Sequence, residues 1–315
     1  MKGQPPLVSP ADFTVPSFAK INWVLRVLGR RTDGFHELST IFQTITLQDR
    51  LTFTARDDDR LHLTCNSPEI PSDESNLILR AGRALRERYG SRKGASIHLE
   101  KNIPVEAGLG GGSSNAAIAL LGLAHLWRVE IDKQRLEGLG AQLGADVPFF
   151  FTGGTALGVG LGTRVEPLGE VAARRLIVIK PEAKISTAEA YKSLGARALT
   201  KADSDTILSI SCADAQFKGF HPDALHNDFE PVVFQMKPEI ERAKSALVKA
   251  DATGALLAGS GSSVFGVFDN QETQERAFES VSEERAWRVF RCMTLTRSQY
   301  LSALGECAAP LLNRS

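Results

Sequence analysis

Between residues 15 and 28, apolar and polar side chains alternate. Ala19, Ile21, Trp23, Leu25 and Val27 fall on one face, and Lys20, Asn22 and Arg26 on the other. A period of two is that of an extended strand with one face in a core. The stretch from Gly29 to Gly34 then reads as a charged turn. Further strand-like runs lie at 40–47, 50–55, 61–65 and 96–101. Over residues 75–89, Leu77, Leu79, Ala81, Ala84 and Leu85 form a helical stripe that Gly90 stops. A mostly apolar helix is expected from near Ser114, and another from Asp132 to Gly144. The glycines of 153–162 read as turns. In the second half the pattern predicts a buried strand at 175–180 and helices at 187–196, 222–235 and 238–250. A strand, small-residue loop and strand follow over 255–268, then a helix at 271–281 and a strand at 286–294. Residues 1–12 read as a proline-bearing arm. Strands and helices mixed without strict alternation predict an α+β fold rather than a doubly wound sheet. A fresh buried strand after the glycine-rich turns puts a domain boundary near residue 168, giving units 1–168 and 169–315.

Composition narrows the class. Of 315 residues, 43% are hydrophobic and 23% charged, which is the globular range and not that of a disordered chain. The 37 basic and 37 acidic residues cancel, so the chain has no overall cationic footprint and no nucleic-acid partner is expected. Cys65, Cys212, Cys292 and Cys307 are far apart and form no C-x-x-C pair, which points to reduced thiols rather than a disulfide frame or zinc site. The N-terminus carries no apolar signal region. The longest apolar stretch, 116–127, is broken by Gly122 and His125 and is shorter than the roughly 20 residues a bilayer needs. The expectation is a cytoplasmic protein with no membrane partner.

The chemistry concentrates in four places. The first is Pro104 to Asn115, PVEAGLGGGSSN, between a strand and a helix. Glycines let backbone amides approach an anion without an intervening Cβ, and a helix start adds free N–H groups and a positive dipole end. Its length, and the apolar helix that follows at once, favour phosphate binding over a serine-capped turn. It is neither a P-loop, since no G-x-x-x-x-G-K-[ST] occurs, nor a dinucleotide fingerprint, nor part of a protein-kinase set. The second is Lys20 with Asn22 on one strand face; taken alone, this pair reads as a solvated face. The third is Asp146, in Gly144-Ala145-Asp146-Val147-Pro148 just after a helix end. Pro148 restricts the residue before it, so Asp146 is expected in an irregular, fixed loop, and three phenylalanines imply burial. A buried carboxylate needs a partner, either Lys20 or a structural amide. The fourth, from Leu257 to Gly266, reads as a second anion-binding turn or as a tight turn with no ligand.

Together these motifs resemble the GHMP kinase superfamily. The segments that carry the resemblance are Ala19 to Asn22, Arg31 to Leu38 (RTDGFHEL), Leu109 to Ala116 (LGGGSSNA), Gly144 to Pro148, Asn227 to Pro231 (NDFEP) and Gly259 to Ser263. They span residues 19–263 in order. Asp33-Gly34-Phe35-His36 narrows the resemblance to the branch that phosphorylates a cytidylylated methylerythritol in isoprenoid synthesis. Homoserine, mevalonate and galactose kinases lack that segment. The resemblance implies an S5-like N-terminal domain and a ferredoxin-like C-terminal domain with the active site in the cleft between them. It implies ATP with Mg2+ as cofactors, a small-molecule substrate, and a monomer or weak homodimer. Asp146 matches the catalytic base and Lys20 its partner. Asn22, Phe35 and His36 match substrate-binding positions, and Tyr191 is placed as a second aromatic against the base. Asn76, Lys101, Pro104, Gly108, Leu109, Gly110, Gly111, Gly112, Ser113, Ser114 and Asn115 match the nucleotide site; no protein ligand for the metal is assigned. Two departures stand out: position 35 is Phe where members often have Tyr, and Glu106 lies in the phosphate loop. The rivals are another GHMP kinase, acting on homoserine or in the mevalonate route, and a non-catalytic nucleotide-binding protein of the same fold. The first leaves the DGFH segment unexplained, and the second would be expected to lose Lys20 or Asp146.

Overall fold

The structure, a computed structural model, describes residues 12–200 and 203–312. The arm read at 1–12 lies, apart from Asp12, outside them.

The N-terminal alternation becomes a long strand, β1 (Phe13–Arg30), paired antiparallel with β2 (His36–Arg56). The register of this pair shifts between Phe18 and Lys20, between Asn22 and Val24, and between Val27 and Gly29. The polar face of β1 is not solvated. Lys20 is 4% exposed and Asn22 1%, covered by Phe42 and Thr40 of the neighbouring strand and by the backbone at Gly110 and Gly259. The two runs expected at 40–47 and 50–55 are one strand. Gln48-Asp49 reads as a break, but Asp49 stays extended and fully buried, its carboxylate satisfied by neighbouring groups. β3 (Leu61–Cys65), α1 (Leu77–Tyr89) and β4 (Gly94–Glu100) follow, with Asn76 capping α1 by accepting from the Ile78 N–H and Gly90 closing it in the left-handed region. Next come α2 (Gly111–Trp127) and α3 (Lys133–Leu143). α2 is apolar on every side and accordingly buried.

The glycines of 153–162, expected as turns, include a strand, β5 (Thr155–Gly160), paired with β2. Gly158 is there for packing: a Cβ would stand 2.5 Å from the Phe42 ring. β6 (Arg164–Pro167) pairs with β5, and β7 (Arg175–Pro181) begins the second sheet. α4 (Thr187–Leu194) and α5 (Ser204–Ala215) follow, the latter missed in the sequence. The helix expected at 222–235 is divided into a 3-10 turn, β8 (His226–Asn227) and α6 (Glu230–Met236). The Asn227 and Asp228 side chains bond to other elements, which holds the chain there out of a helix. α7 (Pro238–Lys249), β9 (Gly254–Leu257), β10 (Val264–Phe268), α8 (Gln271–Ser282) and β11 (Trp287–Met293) close the second layer. α9 (Arg297–Ala303) and α10 (Ala309–Leu312) end it, neither of them read from the sequence.

The first sheet runs β3-β4-β2-β1-β8, with β5 and β6 branching from β2; the second runs β11-β7-β10-β9. One core joins α2, Trp127 included, to Phe53 and Phe149–Phe151. Another packs Ile21 and Trp23 of β1 against Val178 of β7 and Phe265 of β10, so β1 lies against both sheets. That contact buries one face of the middle of β1, and on the other Lys20 and Asn22 lie at the floor of a cleft.

Candidate active site

A cavity of about 490 Å3 opens over β1, walled by the glycine loop, the start of α1, the Asp146 turn and Tyr191. The loop is held by its neighbours. The Lys20 N–H donates to Leu109 O at 2.9 Å, and the Ser263 N–H to Ala107 O at 3.2 Å. Gly108 adopts φ +73°, and a Cβ on it would strike Ala258 O at 1.9 Å, so the two glycine-rich loops touch backbone to backbone. A Cβ on Gly110 would meet Lys20 Cγ at 2.9 Å, and one on Gly259 would lie 3.3 Å from Lys20 Nζ. Lys20 is thus threaded between both loops. Gly111 faces Ile103 and Lys101, whereas Gly112 has only Leu77 within 4 Å, at 3.7 Å. The late loop is fixed in turn by Asn227, whose Nδ2 donates to Leu257 O and Gly259 O, each at 2.8 Å, and by Glu230, which accepts from the Leu257 N–H.

Lys20 Nζ lies 3.2 Å from Asp146 Oδ2 and donates to Asn22 Oδ1 at 2.9 Å. Of the two partners left open for Asp146, the geometry supplies the lysine. Asp146 is not buried as expected: its side chain keeps a third of its exposure. It precedes a 3-10 turn, Val147–Phe151, whose three phenylalanines take the burial and anchor the carboxylate at the cavity wall.

The cavity also takes in Asn76, Lys101, Pro104, Gly108 to Ser113, and Asn115. Ser114 is not brought to it; its hydroxyl is fully buried, 2.7 Å from Ser17 Oγ. Lys101 Nζ bonds to Asp49 Oδ2 at 2.8 Å and to the Ile103 carbonyl, and burial pushes the ammonium below its ordinary value. Asp49 also accepts from the Asn102 and Ile103 N–H groups and from Asn115 Nδ2, tying the strand before the loop to the helix after it. Sequence reasoning missed Asp49; its one signal was an acid between two apolar runs.

Tyr191 lines the cavity, stacked on His36 (centroids 4.5 Å, planes 26° apart) and edge-on to Phe229. Burial, with Asp146 nearby, holds its phenol above the usual range. Burial and Arg30 push the His36 imidazole below its ordinary value, which favours the neutral ring, able both to donate and to accept. Phe35 is 62% exposed on a turn closed by two bonds, Arg31 N–H to Phe35 O and Phe35 N–H to Asp33 Oδ1. Neither Phe35 nor His36 lines the cavity; His36 meets it only through Tyr191.

A glycine cradle at a helix start, beside a lysine–aspartate pair, is an arrangement suited to a small-molecule phosphotransferase. The family models agree: residues 76–154 match the GHMP kinases N terminal domain and residues 218–286 the GHMP kinases C terminal domain. GHMP kinases use ATP. A 4-diphosphocytidyl-2-C-methyl-D-erythritol kinase of Chlorobium phaeobacteroides is 41% identical over 266 residues, covering 84% of this chain and 92% of that one. Its counterpart in Alkaliphilus metalliredigens is 38% identical over 271 residues, covering 84% and 91%. A crystal structure of 4-(cytidine 5'-diphospho)-2C-methyl-D-erythritol kinase superposes with a TM-score of 0.71 at 32% identity, covering 90% of this chain and 99% of that one. A homoserine kinase from Cytophaga hutchinsonii, at 16% identity and a TM-score of 0.65, shares the fold. The chain belongs to the 4-diphosphocytidyl-2-C-methyl-D-erythritol kinase family of the GHMP kinases. Among the described residues, no helix is long and apolar enough to cross a membrane.

Proposed function

We propose that the enzyme transfers the γ-phosphoryl group of ATP to the 2-hydroxyl of 4-diphosphocytidyl-2-C-methyl-D-erythritol, a step of the methylerythritol phosphate route to isopentenyl diphosphate. The observation that carries the mechanism is the Lys20–Asp146 pair, 3.2 Å apart on the cavity wall and in reach of both glycine loops. Asp146 accepts the hydroxyl proton. Lys20, paired with that carboxylate, steadies charge as the phosphoryl group moves. The amides at the start of α2 hold the triphosphate, with Ser113 as hydroxyl donor. Asn76, Lys101 and Pro104 line the adjoining wall for the nucleoside. The transition state of such transfers is loose, so positioning and electrostatics contribute more than bond-making by the protein.

The glycine cradle fits a polyphosphate, since its open face is one a side chain would fill. Ser113 Oγ and Glu106, which both line the cavity, would help hold a Mg2+ bound to the triphosphate, and the ion would supply neutralisation of phosphate charge. Among the described residues, no cluster of three or more His, Cys, Asp or Glu is arranged to hold a metal alone. Asn22 and Tyr191 line the substrate side, with His36, itself outside the cavity lining, stacked on Tyr191. The neutral imidazole matches the mixed donor and acceptor edge of cytosine, and Phe35, exposed on its closed turn, offers a second ring face for stacking.

An ADP-release assay with the cytidylyl compound, its uridylyl analogue, homoserine and mevalonate tests this reading. The cytidylyl compound is expected to give the highest kcat/KM, and Phe35→Ala to raise its KM. Faster turnover of homoserine or mevalonate would overturn the substrate and leave the kinase standing.

A further inference from the structure

Lys20 and Asp146 are held to the strand by a short chain of buried groups. Lys20 Nζ donates to Asn22 Oδ1 at 2.9 Å, Asn22 Nδ2 donates to Thr40 Oγ1 at 2.7 Å, and Thr40 Oγ1 donates to Val24 O at 2.7 Å. Asn22 and Thr40 are each 1% exposed, so water offers little substitute for any of these bonds. The direction of each bond follows from chemistry. An ammonium only donates, so it must face the amide oxygen; the amide nitrogen only donates, so it must face an acceptor. A hydroxyl serves there only if its single hydrogen is committed elsewhere, and the Val24 carbonyl takes it. β2 supplies Thr40 opposite Leu25 of β1, and the register shift between Asn22 and Val24 sits beside it.

We propose that Thr40 is a positioning residue for phosphoryl transfer. By spending its hydrogen on Val24 O it fixes which way the Asn22 amide points, and that orientation holds the Lys20 ammonium against Asp146. Without the hydroxyl, the amide nitrogen loses its acceptor. A turned amide would then present N–H groups to the ammonium, and Lys20 would leave its place. The inference rests on the reading of Lys20 and Asp146 as the reacting pair.

The test compares Thr40→Val, which keeps the shape and removes the hydroxyl, with Thr40→Ser, which keeps the hydroxyl. Displacing a catalytic group is expected to lower kcat of Thr40→Val by roughly tenfold to hundredfold, with the KM for ATP unchanged. Thr40→Ser, with the same donor and acceptor, should stay within about threefold of the parent. Because Thr40 acts through Asn22, adding Thr40→Val to Asn22→Ala should lower kcat no further. Thermal unfolding is followed on every variant, and Thr40→Ala replaces Thr40→Val if the latter does not fold. Independent, multiplying losses in the double variant, or parent turnover in Thr40→Val, would overturn the proposal. Lys20→Met runs alongside: if it turns over normally, the reacting-pair reading fails and this one with it. If Lys20→Met is inactive while Thr40→Val is normal, only the role of Thr40 fails.

Discussion

Asp146 shows how much one residue's setting decides. Its carboxylate faces Lys20 at 3.2 Å and keeps a third of its surface, while the phenylalanines after it are fully buried. A carboxylate so placed is anchored and still reachable. Asp146→Asn preserves the shape and removes both charge and basicity. Loss of a general base costs about 10²–10⁴ in rate. We expect kcat to fall in that range with the KM for ATP unchanged, measured by steady-state ADP release. Near-parent turnover would reduce Asp146 to an orienting group. Some of this setting was legible in the chain: Gly144 to Pro148 marked a fixed loop. Lys20 and Asn22 were not legible as a site from alternation alone, because a polar strand face is ordinarily solvated. What buries them is Phe42 and Thr40 of β2 together with the loops at Gly110 and Gly259, up to about 240 residues away in sequence and invisible to a local pattern.

At the scale of elements, the glycine loop and the helices α1, α2 and α3 followed from stripes, caps and stops that lie within a few residues of each other. The misreadings share one cause. Gly158 was taken as a turn residue when it makes room for Phe42, and Asp49 as a break when four donors satisfy it inside the sheet. In both, a partner from elsewhere in the fold overrides the local preference. The same kind of contact gives a test at Gly108. Its φ of +73° suits glycine, and a Cβ there would run into the Ala258 carbonyl. Gly108→Ala is expected to lose about 1–3 kcal/mol in urea-induced unfolding, as overpacking does, and to weaken ATP binding in calorimetry. Gly138→Ala, in α3 with nothing within 4 Å of the added methyl, is the control. It should be neutral or stabilise by up to about 1 kcal/mol through helix propensity. Equal behaviour of the two variants would mean that the loops do not need their contact.

For the whole molecule, the α+β class was readable because strands and helices fail to alternate. The joining of the two sheets was not, since it rests on contacts distant in sequence, Ile21 and Trp23 against Val178 and Phe265; β8, two residues long, adds a pairing to Val24 and Leu25 of β1. Through Asn227 that same strand fixes the late loop, which in turn touches the phosphate loop at Gly108. The cradle is therefore assembled by the fold and does not wait for its nucleotide. Its ordering entropy is met at folding, so binding has little loop to freeze. The Lys20 and Ser263 amides, which donate to Leu109 O and Ala107 O, should exchange with deuterium slowly in nucleotide-free enzyme. ATP should slow them little further. Fast exchange that only ATP suppresses would mean the cradle forms on binding. On the proposed reading, a prebuilt cradle also places the burden of discrimination elsewhere: the phosphate loop would accept any triphosphate of the right reach, and choosing the alcohol would fall to the strand floor and the aromatic wall opposite.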